Sequence, residues 1–329
     1  MKKTVLHSIL ILIVFACFSR FTEASVTRYR TGSAADVNPA LHGPAYDFGG
    51  GSTDVEPALQ WMIDQVRGCS DCPAKIDFVV LRSSGEDGYN EMIYGMNGVD
   101  SVETLVITNR KDANRQDVEE TIRNAEIIFF AGGDQCDYVT NFKGTKVQSA
   151  VESVVARGGG IGGTSAGLAI MSDIVFNACS DTAVSDVTLK NPYDKTVRFT
   201  YDFLKLNYMT GTITDQHFVA RDRMGRLLTF LARQIQDGKA KSVFGVAVNE
   251  KTSLVIDKEG KARVIGQGPV YLILADHPPE KCVKNEPLTY SDFKIWKIPA
   301  DDTFDWKVRP QDGYYTRSVK DGKIDSDPY

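Results

Sequence analysis

A chain of 329 residues, 42% hydrophobic and 25% charged, is long enough to bury a sizeable core as one large domain or two smaller ones. Its 38 Lys and Arg against 43 Asp and Glu leave a net charge of -5, which argues against nucleic acid or anionic lipid as general partners. Six cysteines are too sparse a set for a disulfide scaffold.

Lys2 and Lys3, the apolar run from Val5 to Phe18 and the segment Thr22-Glu23-Ala24 read as a signal peptide over residues 1–24. Residues 25–329 then form the mature protein, expected to be a single domain because no break in composition divides it. The apolar run is shorter than the roughly 20 residues needed to cross a bilayer, and no later stretch is long or apolar enough. The expected destination is secreted or periplasmic, with no membrane residence after cleavage; lipid anchoring at Cys17, in Val14-Phe15-Ala16-Cys17, is the alternative. Cleavage removes a net +2 (Lys2, Lys3, Arg20 and Glu23) and takes the charge from -5 to -7. Cys69, Cys72, Cys136, Cys179 and Cys282 remain, and sequence alone does not pair them. Cys69-Ser70-Asp71-Cys72 has the spacing of half a zinc site or a redox pair, but no second pair follows, so a loop disulfide or reduced thiols are expected there.

From Ala45 to Ala131 β-rich runs (Ile76 to Leu81, Val102 to Ile107, Glu126 to Ala131) alternate with helical patterns (Val55 to Arg67, Gln116 to Asn124). Such alternation predicts an α/β fold, a mainly parallel sheet with helices on both faces. Val147 to Ala156 reads as a helix and Gly159 to Gly163 as a short buried strand; Met209 to Thr214, Asp222 to Gln236 and Phe244 to Val248 continue as strand, helix and strand. Beyond residue 250, Ser253 to Ile256, Arg263 to Ile265 and Val270 to Leu274 are strands joined by turns, expected as an antiparallel edge of the same sheet. The tail after Pro299 shows no usable period, and no function is readable for residues 275–329.

Gly163-Thr164-Ser165-Ala166-Gly167 has the G-x-S-x-G form of a serine on a sharp strand-to-helix turn, its small neighbours leaving the hydroxyl exposed. In open α/β sheets active groups gather beyond the carboxyl ends of the strands. Ser165, His217, Glu250 and the turn Gly132-Gly133-Asp134-Gln135 each follow a predicted strand there. A serine needs a base, usually an imidazole oriented by a carboxylate. His42 lies in a loop, His277 precedes two prolines, and His217 sits in the polar cluster Thr214-Asp215-Gln216-His217-Phe218, which makes it the candidate base. Arg221, Arg223 and Arg226 follow at the start of the predicted helix, where cations oppose the helix dipole. Three of them suggest an anionic ligand such as a carboxylate. Glu86, Asp87 and Glu91 follow the strand ending at Leu81 and read best as a solvated loop.

Together, Gly132-Gly133-Asp134-Gln135, Gly163-Thr164-Ser165-Ala166-Gly167 and Asp215-Gln216-His217-Phe218 with the three arginines resemble the signature of cyanophycinases, serine peptidases related to peptidase E. Asn249-Glu250-Lys251-Thr252 resembles the family's acidic position, and the likeness runs from about Ala45 to Leu274. The resemblance implies a class I glutamine amidotransferase-like fold, a homodimer, and cleavage of cyanophycin, a poly-aspartate backbone bearing arginine on each side chain, to β-aspartyl-arginine dipeptides. It implies Ser165 as nucleophile, His217 as base and Glu250 as its orienting acid. Gly133 and Ala166 N–H groups would form the oxyanion hole, and Gln135, Asp215, Gln216, Arg221, Arg223 and Arg226 would line the substrate site. No metal or organic cofactor is implied. Alternatives are a peptidase for other β-aspartyl or acidic peptides, a non-catalytic binder of the same polymer, and an α/β-hydrolase esterase, whose chain order would make His277 the base. Gly158-x-Gly160-x-x-Gly163 spells a dinucleotide fingerprint but follows a helix, which counts against it.

Overall fold

The computed structural model describes residues 26–329; the expected signal peptide and Cys17 lie outside the described residues. Two sheets build the molecule. The first has nine strands in the order Thr27–Gly32, Val99–Val106, Ile76–Arg82, Ile127–Phe130, Gly160–Thr164, Ala45–Gly49, Thr252–Ile256, Lys261–Gly266, Thr303–Asp305. Its five strands from Val99–Val106 to Ala45–Gly49 are parallel, and the flanking strands pair antiparallel. The sequence Ile127-Ile128-Phe129-Phe130 is buried throughout, as a central parallel strand covered on both faces must be.

Alternation along Ile76–Arg82 shows the layering. Phe78 and Val80 face a core with Leu59, Met62, Ile63 and Val66 of the helix Glu56–Arg67. Val79 and Leu81 face the opposite core, against Val118 and Ile122 of Gln116–Asn124 and Val147, Val151 and Val154 of Lys146–Ala156. Helices therefore cover both faces, as the alternating pattern predicts.

The antiparallel part departs from expectation. Thr252–Ile256 and Lys261–Gly266 do extend the first sheet, but Val270–Ala275 pairs with Val243–Val248 in a second, eight-stranded sheet. Thr212–Asp215 lies parallel to Val243–Val248 in that same sheet. An apolar strand with both faces covered has the same composition in either sheet, so periodicity does not report its partner. The tail contributes Tyr290–Ile298, Tyr315–Lys320 and Lys323–Ile324 to the second sheet. A register shift between Tyr290 and Phe293, with Asp292 at φ 55°, breaks the two-residue period there.

The sheets share one core. Phe48, Leu81 and Leu254 of the first meet Val246, Val248, Leu272 and Trp296 of the second. Phe176, Leu227, Phe230 and Leu231 form another core beneath the helix Met224–Gln236. Cys136 and Cys179 are bridged across a sequence separation of 43, and Cys69 is bridged to Cys72. The longer closure restricts the unfolded chain by about 4 kcal/mol on the loop-entropy model. Among the described residues, no helix is long and apolar enough to cross a membrane.

Candidate active site

Ser165 stands between the strand Gly160–Thr164 and the short helix Ala166–Ala169, with φ 53° and ψ -114°. A non-glycine residue so placed costs about 1 to 3 kcal/mol and persists only where its surroundings over-determine it. Here its N–H donates to the Gly49 carbonyl at 3.0 Å. Gly167 packs so closely that a Cβ would stand 2.1 Å from the Phe130 carbonyl oxygen. The elbow therefore requires the second glycine of G-x-S-x-G.

His217 Nε2 lies 2.8 Å from Ser165 Oγ, and His217 Nδ1 lies 2.7 Å from Glu250 Oε1. An ionised carboxylate only accepts hydrogen bonds, so Nδ1 carries the proton and the Nε2 lone pair faces the serine hydroxyl. Burial holds the imidazole pKa below its ordinary 6.5; the Glu250 hydrogen bond raises it, while Arg221 and Arg223 push it down. The base is thus neutral, and able to accept a proton, at pH 7. Ser165 belongs to the first sheet's loops, His217 and Glu250 to those of the second. The expected shared rim is a seam between two sheets, correcting the picture of one sheet edge.

Glycine backbone stitches that seam. The His217 N–H donates to the Gly50 carbonyl at 2.8 Å, the Lys251 N–H to Gly51 at 3.0 Å, and the Gly50 N–H to Thr252 at 2.8 Å. Asn249 Oδ1 accepts from the Val219 N–H at 3.0 Å. Gly51 has φ 98°, and a Cβ there would meet His217 Cε1 at 2.5 Å and Nε2 at 2.6 Å. The sequence reading passed over Gly50 and Gly51, although the run Gly49-Gly50-Gly51 closing the strand Ala45–Gly49 is a signal for close backbone approach. Gly51→Ala is expected to lower kcat at least 100-fold, the scale of misplacing a reacting group by about 1 Å. Steady-state kinetics beside a melting curve check it; an active, folded variant would contradict the contact.

Gly132 borders the nucleophile, since a Cβ there would lie 3.6 Å from Ser165 Cβ. Gly133 and Asp134 are exposed, and Ala166 is buried directly after the serine. Gln135, 9% exposed, starts the helix Gln135–Phe142, which Asp134 caps by accepting from the Cys136 N–H at 2.8 Å.

The arginines differ from expectation. The helix begins at Met224, so Arg221 and Arg223 precede it and do not oppose its dipole from within the first turn. Arg226 is 1% exposed and bonds Asp215, also 1% exposed, through Nε at 2.8 Å and through Nη2. Its guanidinium also lies over the Phe176 ring at 5.2 Å. Arg223 is buried, donates to the Gln216 carbonyl at 2.8 Å and stands 3.5 Å from Asp215; burial lowers its pKa to about 10. Asp215 and Arg226 therefore satisfy each other inside the protein instead of facing a ligand, with Arg223 beside them. Arg221 is exposed, and Gln216 is buried next to the base. Glu86 and Asp87 are exposed in a loop, as expected, whereas Glu91, also exposed, belongs to the short helix Asn90–Tyr94. His277, the base of the esterase order, stacks on Tyr290 and bonds the Pro278 and Ser291 carbonyls.

The sequence reading also passed over Asp54, whose carboxylate accepts from the Thr164 and Tyr89 side chains and whose pKa burial raises. Nearby Asp47 is fully buried, and desolvation pushes it up to about 7. Among the described residues, no group of three or more His, Cys, Asp or Glu is placed to hold a metal ion.

The profile of peptidase family S51 matches residues 50–264. A cyanophycinase from Nostoc sp. is 27% identical over 213 residues, covering 63% of this chain and 66% of the relative. A cyanophycinase from Trichormus variabilis is similar to the same extent. The chain thus spans just under two thirds of the length of these relatives. Among solved structures, a peptidase from an acI-B1 actinobacterium shares the fold, with a TM-score of 0.54 at 14% identity over 81% of this chain and 98% of that one. Because the matched family span takes in well over half of the chain and holds Ser165, His217 and Glu250 alike, this protein belongs to peptidase family S51.

Proposed function

We propose that this chain is a serine peptidase that hydrolyses cyanophycin to β-aspartyl-arginine dipeptides through an acyl-enzyme. The observation that carries the reading is the row Ser165 Oγ, His217 Nε2, His217 Nδ1, Glu250 Oε1, closed by contacts of 2.8 and 2.7 Å inside the family span. In this mechanism Oγ attacks a backbone carbonyl carbon while His217 Nε2 takes its proton. The imidazolium, oriented by Glu250, then returns that proton to the leaving amine. Water deprotonated by the same nitrogen splits the acyl-enzyme and frees Ser165. The N–H groups of Gly133 and Ala166 receive the developing oxyanion without a charged side chain. Gln135, Gln216 and exposed Arg221 line the substrate side, and Arg223 and Arg226 act behind it by holding Asp215.

The fold reading that accompanies this is class I glutamine amidotransferase-like, supported by the parallel strands covered by helices on both faces. Export belongs to the same proposal. Two disulfides suit an oxidising compartment, in keeping with a leader over residues 1–24.

The test is incubation of residues 25–329 with insoluble cyanophycin and mass identification of what dissolves. β-Aspartyl-arginine is the expected product. Free arginine would place attack on the side-chain linkage and overturn the backbone mechanism, and no release would shift the substrate to other β-aspartyl peptides.

A further inference from the structure

Outside the catalytic row, one disulfide joins the two halves of the cleft. The bridge from Cys136 to Cys179 crosses from the first helical turn after Gln135 to the turn that follows the strand Ile174–Phe176 of the second sheet. The other bridge, Cys69 to Cys72, is local, with a sequence separation of 3. We propose that the Cys136–Cys179 disulfide is a positioning element for the substrate-facing turn Gly132–Gln135, and that substrate affinity therefore falls when a dithiol reductant opens it. The inference rests on the peptidase reading above.

Both ends of the bridge reach the site. On one side it adjoins Gln135, whose side chain is 9% exposed beneath the exposed Gly133 and Asp134. No hydrogen bond engages that amide, and its polar atoms are not among the sealed, unpartnered ones of the described residues, so they remain open to the cleft and to a ligand. On the other side, the chain runs from Cys179 to Thr182 and Ala183, whose hydroxyl and carbonyl each lie 3.4 Å from Arg226 Nη1. Arg226 grips Asp215, two residues before the base. The disulfide thus ties the Gln135 wall to the anchor of the His217 loop, across a seam that no other disulfide spans among the described residues.

Residues 179–182 are exposed and Cys136 is half-buried, so a small dithiol reaches the bridge. Dithiothreitol attacks one sulfur as a thiolate, and its second thiol resolves the mixed disulfide. Two electrons and two protons pass to the cystine, giving thiols at Cys136 and Cys179, and the reductant leaves as its cyclic disulfide.

The experiment measures cyanophycin hydrolysis by oxidised and dithiothreitol-treated enzyme, well below the melting temperature of either form. Alkylation and mass determination verify which cysteines have opened. KM is expected to rise about tenfold, the scale of one misplaced hydrogen bond, with kcat falling as well because the Gly133 oxyanion donor sits on the same turn, and with recovery on reoxidation. Cys136→Ser with Cys179→Ser should reproduce the reduced behaviour without reductant. Cys69→Ser with Cys72→Ser should keep the oxidised KM and still respond to dithiothreitol. A verified open bridge with KM within twofold of the oxidised value overturns the proposal, even where the melting temperature falls, because a purely structural bridge would do that. Amide exchange supplies a readout that needs no substrate. Opening the bridge should speed exchange over residues 132–136 and 179–183 and spare 217–223; unchanged exchange in the first two segments also overturns the proposal. Should oxidised enzyme release no dipeptide, the cyanophycin reading fails while the exchange measurement still decides this one.

Discussion

Ser165→Ala is expected to cut kcat by roughly 10⁴- to 10⁶-fold while leaving the protein folded. The substitution removes one oxygen that lies 2.8 Å from His217 Nε2 and nothing else. Alanine keeps the Cβ, so the backbone cost at φ 53° is present in both proteins. The stability change is that of one lost hydrogen bond, about 1 kcal/mol, and the melting curve should show a shift of a few degrees at most. His217→Ala should cost about as much. Because nucleophile and base act as a unit, the double variant should be no slower than either single one. A Ser165→Ala protein that retains a tenth of the parent rate would remove the hydroxyl from the chemistry.

Asp215→Asn should have the largest effect on stability, about 3 to 5 kcal/mol, read as a lower denaturant midpoint. The side chain is 1% exposed and receives Arg226 at two atoms, with Arg223 at 3.5 Å. Neutralising it strands a guanidinium that is itself 1% exposed, between Phe176 and Phe230. Water does not reach that position to replace the lost charge partner. If Asp215 were a substrate ligand, the same variant would raise KM and leave stability untouched. Replacing the pair together, Asp215→Leu with Arg226→Met, should recover much of the loss, since no buried charge is then left without its partner. Activity need not recover with it, because the pair also fastens the His217 loop to the helix Met224–Gln236.

Those two cases show which features sequence carries. Ser165 was legible because a strained elbow needs small residues at fixed spacing, and Gly163 and Gly167 supply them around the hydroxyl. His217 was legible because few histidines compete with it and it interrupts an apolar strand. Arg226 was misread because burial depends on what the fold places eleven residues away, and a basic residue near a helix start looks the same whether it meets water or Asp215. Gly51 was missed for the converse reason: its role lies in what it lacks, and only the approach of the His217 ring makes that lack visible. The strands Ile76–Arg82 and Ile127–Phe130 announced themselves through buried β-branched and aromatic runs. Val270–Ala275 announced itself equally well as a strand, yet its partner was a matter of tertiary pairing.

Nucleophile and base ride on different sheets, and this restricts how such a protein diversifies. A recombination that imports either half from a distant relative must also import side chains complementary to Phe48, Leu254, Val248 and Leu272, or the two reacting atoms drift apart. Variation in the outer strands meets no such demand. Inheritance should therefore treat the inter-sheet packing and the catalytic row as a single unit, with the edge strands Tyr315–Lys320 and Lys323–Ile324 free to diverge around it.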